Sequence, residues 1–289
     1  MKGSPVKTAP FYEICAGFYD ADYAAAERED DAAFYAELAR QAGGPVLEMG
    51  CGSGRVLLPC ARAGAEMVGM DVSAAMLERL DHRLEDEPEE VRRRVETVEG
   101  DMRDAVVRGT GTGTGATGSA AGEIRTFPLV TAPFRVIQHL VERQDQRAWL
   151  RNVARHLAPG GALVFDVFQP DYDHVVAPPT TAVDLQRTDP DTGRLVQRHA
   201  TAWHTPELQT FRVRFEWTEE DVENNGAGGG GESRSLGSAE TTVRWFTLAE
   251  LENLLELEGF RVTDAWGDFD RTAYGPGAEE IILRAVQSR

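Results

Sequence analysis

The segment Val46-Leu47-Glu48-Met49-Gly50-Cys51-Gly52-Ser53-Gly54-Arg55 constrains this chain more than any other. A short apolar run, an acid and three glycines at alternate positions lead into a helix-like stretch over 56–63. Glycine adopts positive φ at little cost and lets the backbone approach a partner closely. A strand that ends in such a turn and enters a helix therefore presents bare N–H groups to a ligand. The dinucleotide fingerprint Gly-x-Gly-x-x-Gly does not fit. Counting from Gly50 and Gly52, its third glycine falls on Arg55, whereas the third glycine here is Gly54. A plain glycine-rich turn is the alternative, and the acids downstream speak against it.

Residues 66–71, Glu-Met-Val-Gly-Met-Asp, read as the next parallel strand, with Asp71 at its carboxyl end. In a doubly wound sheet, an acid about 20 residues past the glycine turn can accept hydrogen bonds from both ribose hydroxyls. Ser73 is placed as the N-cap of a helix over 74–84, which keeps Asp71 in the loop. Capping that helix is the other role open to Asp71. The third strand runs from Val95 into Gly100-Asp101-Met102, a generic turn signal on its own. A fourth spans Phe127 to Thr131, followed by Ala132-Pro133-Phe134-Arg135 and Val136-Ile137-Gln138-His139-Leu140. A fifth spans Ala162 to Phe168, after the turn Pro159-Gly160-Gly161.

The pattern Glu48-x-Gly50-x-Gly52-x-Gly54 resembles motif I of the class I S-adenosylmethionine (SAM)-dependent methyltransferases, and the Ala-Pro-Phe-Arg and Gln-His-Leu pieces are similar to their bacterial small-molecule subgroup. The likeness covers residue 11 to about residue 168. It implies that the glycine turn holds the methionine end of SAM, Asp71 the ribose, and Asp101 with the Met102 N–H the adenine. Its cofactor set is Tyr12, Tyr19, Glu48, Gly50, Cys51, Gly52, Gly54, Asp71, Val72, Met76, Asp101, Met102 and Thr131, with Tyr12 and Tyr19 closing over the methionine moiety. It also implies a Rossmann-like, doubly wound α/β sheet of seven strands in the order 3-2-1-4-5-7-6, strand seven antiparallel.

The rest of the chain is apportioned around that core. Residues 1–42 form an N-terminal helical arm whose first ten look disordered, 43–168 the SAM-binding core, and 169–246 an insertion after strand five. Residues 247–289 form the last helix and two strands, with Thr247 as N-cap and Glu250 as its capping-box partner. Within the insertion, 194–203, 209–217 and 239–246 alternate polar and apolar residues, which predicts a three-stranded antiparallel β-meander. Such a sheet is marginal alone. Roofing the acceptor pocket, a homodimer contact and simple extension of the sheet all remain open. The Gly/Thr/Ala tract 110–122 reads as a mobile surface loop, and 224–231 as another glycine-rich loop.

Composition removes several partners. Formal net charge is −18, so neither nucleic acid nor an anionic membrane is an expected partner. No apolar run approaches the roughly 20 residues of a membrane span, and no signal core is present, so the expected location is cytoplasmic. The three cysteines, Cys15, Cys51 and Cys60, lack metal spacing, and the expected chemistry is metal-independent. The resemblance therefore implies an enzyme that moves a methyl group from SAM to an N, O or C atom of a small organic molecule, a secondary-metabolite intermediate. A SAM-binding regulatory protein, or an enzyme that uses SAM without methylating, are the alternatives. His139 is the first candidate for a general base and His174 the second; His199 and His204 alternate with apolar residues in the meander. Arg55 is open to pairing with a nearby carboxylate such as Glu48, with a structural salt bridge in the core as the preferred reading.

Overall fold

A computed structural model of the chain describes residues 9–25, 30–109, 122–220 and 233–288. The two expected loops (110–121 of the first, all of 224–231) and residues 1–8 lie outside these. In chain order the helices are α1 (Ala9–Ala25), α2 (Asp30–Gln41), α3 (Leu57–Arg62), α4 (Ala74–Glu85), α5 (Glu89–Arg92), α6 (Arg143–His156), α7 (Tyr172–Val175) and α8 (Leu248–Leu257). The first five strands are β1 (Val46–Met49), β2 (Met67–Asp71), β3 (Val95–Glu99), β4 (Phe127–Ala132) and β5 (Leu157–Phe168). There follow β6 (Thr181–Thr188), β7 (Leu195–Thr205), β8 (Thr210–Glu220), β9 (Arg234–Arg244), β10 (Phe260–Trp266) and β11 (Glu280–Gln287).

Contacts divide the chain into two units, one drawn from Glu29–Pro170 with Arg244–Arg289, the other from Met1–Arg28 with Asp171–Val243. The arm expected from the sequence is thus shared: α2 belongs to the first unit and α1 to the second.

The first unit holds a seven-stranded sheet ordered β3-β2-β1-β4-β5-β11-β10. The pairs from β3 through β5 are parallel, and β11 runs antiparallel to both β5 and β10. This is the order the resemblance implies. β1 is buried at all four positions, as a central parallel strand covered on both faces must be. Side chains alternate between two cores. Leu47, Val68, Val130 and Leu163 enter one, and Val46, Met67, Leu129 and Val164 the other.

Local chemistry explains the boundaries. Ser73 Oγ accepts the Met76 N–H at 3.3 Å and so caps α4, and Thr247 Oγ1 accepts the Glu250 N–H at 3.3 Å to cap α8. The Glu250 side chain does not complete a capping box, because it pairs with Arg244 at 2.7 Å. Gly259, at φ +81, ends α8.

The second unit is a four-stranded sheet, β6-β7-β8-β9, with α1 packed on β6. The sequence predicts three strands; β6 is the fourth, and β9 stops at Arg244 rather than running on to Phe246. Phe11, Cys15, Val196, Trp217 and Ala239 form its core, with Phe18 stacked on Trp217 at 4.6 Å. At its centre Asp22, 1% exposed, accepts from Trp217 Nε1 at 2.9 Å and from Arg187 Nε and Arg198 Nη1 at 3.3 Å each. A buried carboxylate is stable only when its lone pairs are met in this way.

Candidate functional site

The carboxyl ends of β1, β2, β3 and β4 bring most of the sequence-selected residues to one edge of the first unit's sheet. β1 lies where the strand order reverses, the position at which open α/β sheets bind ligands. In the turn after β1, Gly50, Gly52 and Gly54 all have positive φ, +79, +53 and +80. A side chain is excluded here on space as well as conformation. A Cβ at Gly50 would lie 2.5 Å from Val136 Cγ2, and one at Gly54 would strike Leu80. Cys51 points away from this edge into the core beside Gly69, where burial raises its thiol pKa.

Asp71 sits at the end of β2 and receives the Gly52 N–H on Oδ2 at 2.8 Å and the Ser73 N–H on Oδ1 at 2.9 Å. The carboxylate thereby fixes the glycine turn from the neighbouring strand, while Ser73 rather than Asp71 caps the helix. Val72 follows it, half-buried, and Met76 packs beneath Gly52.

After β3, Asp101 closes a turn by accepting the Arg103 N–H at 2.9 Å, and the Arg103 side chain bridges Asp101 and Asp145. Asn152 of α6 donates to the carbonyls of Met102, at 3.0 Å, and Ala105, at 2.8 Å. His156 Nε2 accepts the Val107 N–H at 3.1 Å, with Nδ1 against Asn152 O at 2.9 Å. Sequence reasoning passed over Arg103, Asn152 and His156. The polar residues of α6 carry no motif, though Asn152 and His156 share a helix face four residues apart.

Glu48 and Thr131 are directly paired on adjacent strands β1 and β4, so their side chains share one face of the sheet. Both are buried, at 1% and 2% exposure, and neither Glu48 Oε2 nor Thr131 Oγ1 has a hydrogen-bond partner among the described residues. Burial pushes the Glu48 pKa up to about 8; Arg55 opposes this, while Asp31 and Asp71 add to it. Arg55 does not pair with Glu48. It reaches back to α2, where Nη1 meets Asp31 Oδ1 at 2.9 Å and Nη2 meets Oδ2, and its guanidinium stands 4.2 Å from the centre of the Phe134 ring. Asp31 lies 24 residues away in sequence and is buried, so this is the structural salt bridge that the sequence favours over pairing with Glu48.

His139 ends the 3-10 turn Val136–His139 after β4, half-buried. Burial lowers its pKa to about 4, so the ring is neutral at pH 7. His174 is not part of this edge. It stands exposed on α7 in the second unit, with Nδ1 2.6 Å from Asp171 Oδ2. His199 Nε2 lies 3.2 Å from Thr218 Oγ1, and His204 packs on Phe211, both in the second unit. Tyr12 and Tyr19 are also in that unit, on α1, ring centres 6.4 Å apart. Gly267 and Asp268 line a cavity of about 220 Å³, while Phe269 packs on Phe34 of α2 at 5.7 Å. Among the described residues no group of three or more His, Cys, Asp and Glu is arranged to hold a metal ion, and no helix is long and apolar enough to cross a membrane.

A seven-stranded Rossmann-like sheet, a bare glycine turn at its switch point and an acid ending the next strand define a nucleotide-cofactor enzyme of the methyltransferase kind. A methyltransferase-domain family matches residues 47–163, which spans the glycine turn, both acids and the chain from within β1 to within β5. The matched residues are a methyltransferase domain, and the chain is similar to SAM-dependent methyltransferases. It is 26% identical over 252 residues to a cypemycin N-terminal methyltransferase from Streptomyces, covering 83% of this chain and 82% of that protein. Its fold is shared by the methyltransferase CcbJ of Streptomyces caelestis, with TM-score 0.68, 23% identity, and 90% and 94% of the two chains covered. It is shared too by SAM-bound CalS10, an amino pentose methyltransferase of Micromonospora echinaspora, with TM-score 0.65, 24% identity, and 92% and 96% covered.

Proposed function

We propose that this enzyme methylates a nitrogen atom of a small organic molecule, and that SAM lies along the carboxyl edge of β1 to β4. The observation that carries the cofactor placement is the pair of partnerless buried oxygens, Glu48 Oε2 and Thr131 Oγ1, beside a turn of three left-handed glycines. A buried acceptor without a donor is costly, so it marks a place where a ligand completes the bonding. A carboxylate and a hydroxyl suit the ammonium of an amino-acid moiety. The turn formed by Gly50, Cys51, Gly52 and Gly54 holds the methionine end, Asp71 the ribose hydroxyls, and Asp101 with the Met102 N–H the adenine. Val72 and Met76 line the wall.

Bound SAM supplies a methyl group on a positively charged sulfur that is already a good leaving group. The protein therefore contributes alignment of the acceptor and exclusion of water. An amine acceptor must shed its proton before it attacks. His139, with a pKa near 4, is a poor store for that proton and serves as a hydrogen-bond acceptor that orients the amine. Nitrogen is favoured over oxygen and carbon by the relatives: an N-terminal methyltransferase, a glycopeptide N-methyltransferase and a sugar N-methyltransferase.

Calorimetric titration with SAM, S-adenosylhomocysteine and NAD tests the cofactor. Binding of the first two without NAD is expected, and no binding of either sinks the reading. Release of S-adenosylhomocysteine across matched amine and alcohol acceptors then tests the nitrogen, which turnover of alcohols alone would overturn.

A further inference from the structure

The turn after β4 is strained and held. Phe134 and Arg135 are consecutive non-glycine residues at φ +58 and +66, a conformation that side chains disfavour by about 1–3 kcal/mol each. Their two N–H groups converge on one carboxylate: Phe134 N donates to Asp166 Oδ1 at 2.9 Å and Arg135 N to Oδ2 at 3.0 Å. Tyr35 of α2 donates its hydroxyl to the same Oδ1 at 2.6 Å. Asp166 is 1% exposed, near the end of β5, and its three donors all come from other elements. Loss of the carboxylate would take the shared acceptor from two half-buried amides in a conformation the chain does not otherwise choose.

The held turn abuts the cofactor edge on two sides. Val136, the next residue, occupies the space where a Cβ on Gly50 would stand. The Phe134 ring lies under Arg55, which immediately follows Gly54 and pairs with Asp31 on α2. The same turn starts the 3-10 segment that ends at His139. On the Arg135 side, the guanidinium pairs with Glu280 at the start of β11. Asp166 itself has its carboxylate filled by Tyr35 and the two amides.

We propose that Asp166 is a positioning residue for methyl transfer: its grip on the Phe134 and Arg135 amides fixes the left-handed turn, and through Val136 and Phe134 that turn sets the shape of the Gly50–Gly54 cofactor loop. This rests on the cofactor placement given above. Tyr35 steers the carboxylate and ties α2 to the same point, so α2, β4 and β5 are fixed together at the edge where SAM enters. Burial raises the pKa of Asp166 and of Tyr35, which keeps the tyrosine protonated as the donor.

Two measurements decide it. Hydrogen exchange of the segment 132–140 in the free protein reads the grip, and SAM titration reads its consequence. Asp166→Asn keeps the volume but offers only one acceptor oxygen, so exchange of that segment should quicken and SAM affinity fall by about tenfold. The loss should appear chiefly as a raised KM for SAM, with kcat at saturating SAM changed less. Tyr35→Phe should move both readouts the same way by about two- to threefold. Arg135→Gly removes one left-handed penalty, so in the Asp166→Asn background it should restore at least half of the lost affinity, measured against Arg135→Gly alone. Folded Asp166→Asn protein with wild-type exchange and affinity overturns the proposal, as does a double variant no better than Asp166→Asn. Should Asp166→Asn fail to fold, unchanged exchange and affinity in Tyr35→Phe overturn it instead. Wild-type protein that binds no SAM overturns the cofactor placement itself, whereas wild-type binding unaltered in the variants overturns only the positioning role.

Discussion

Asp22 and Glu48 are equally buried carboxylates, each 1% exposed, and they are treated in opposite ways. Asp22, in the second unit, is met by an indole N–H and two guanidinium groups. Glu48, in the first, keeps an oxygen with no donor among the described residues, and its nearest cation, Arg55, is committed to Asp31. The difference separates a carboxylate that holds structure together from one whose missing donor, on the function proposed above, is supplied by the ligand. Burial alone does not distinguish them; the count of donors does.

Removing Asp22 should do the most damage. Asp22→Ala leaves the buried Trp217 Nε1 without an acceptor and removes one partner from two half-buried guanidinium groups that keep Asp189 and Asp184. It should cost about 1–3 kcal/mol of stability, read by urea unfolding. A loss within the error of that measurement would make the pair of arginines solvated and the contrast with Glu48 empty. Asp71→Ala comes next: SAM affinity should drop at least about tenfold, because charge-assisted bonds to the ribose and the Gly52 tie are lost together.

Glu48→Gln should leave the free protein as stable as before or more so, since it removes a desolvated acid, while weakening SAM binding several-fold. The sign of the pH dependence sharpens this. The folded pKa of about 8 lies above the ordinary 4.5, so the free protein gains stability from this group below pH 4.5. That gain is lost as pH rises toward 8. A cationic ligand reverses the preference, so SAM binding should release a proton and strengthen as pH climbs to about 8, and Glu48→Gln should flatten that rise. Proton release measured in buffers of different ionisation enthalpy checks it, and a flat profile in the wild type would remove Glu48 from the site. The smallest effect is expected of Asp101→Asn, about two- to fivefold in SAM affinity, because Arg103 already engages this carboxylate and the loop stays pinned by Asn152.

Much of this was legible in the sequence because it depends on neighbours in the chain. Three glycines in alternate positions, an acid ending the next strand and a serine two residues later determine local geometry directly. What escaped depends on distant partners or on weak patterns. β6 carries almost no buried side chain, so its sequence Thr-Ala-Val-Asp-Leu-Gln-Arg-Thr lacks the alternation that betrays a half-buried strand. Phe134 and Arg135 adopt a glycine-like conformation without glycine, because Asp166, more than 30 residues on, supplies the compensation. The pairing of Arg55 with Asp31 is likewise set by where α2 lies, which no local signal reports.

The order of strands at the far edge of the large sheet has a consequence for biosynthesis. β10 is made before β11, yet its partner in the sheet is β11, which lies between it and β5. Until residues 280–287 have left the ribosome, β10 has no place to dock and β5 presents an open row of backbone groups, a template for pairing with other chains. A nascent chain halted anywhere between 170 and 279 would carry that exposed edge, where pairing with another chain competes with folding.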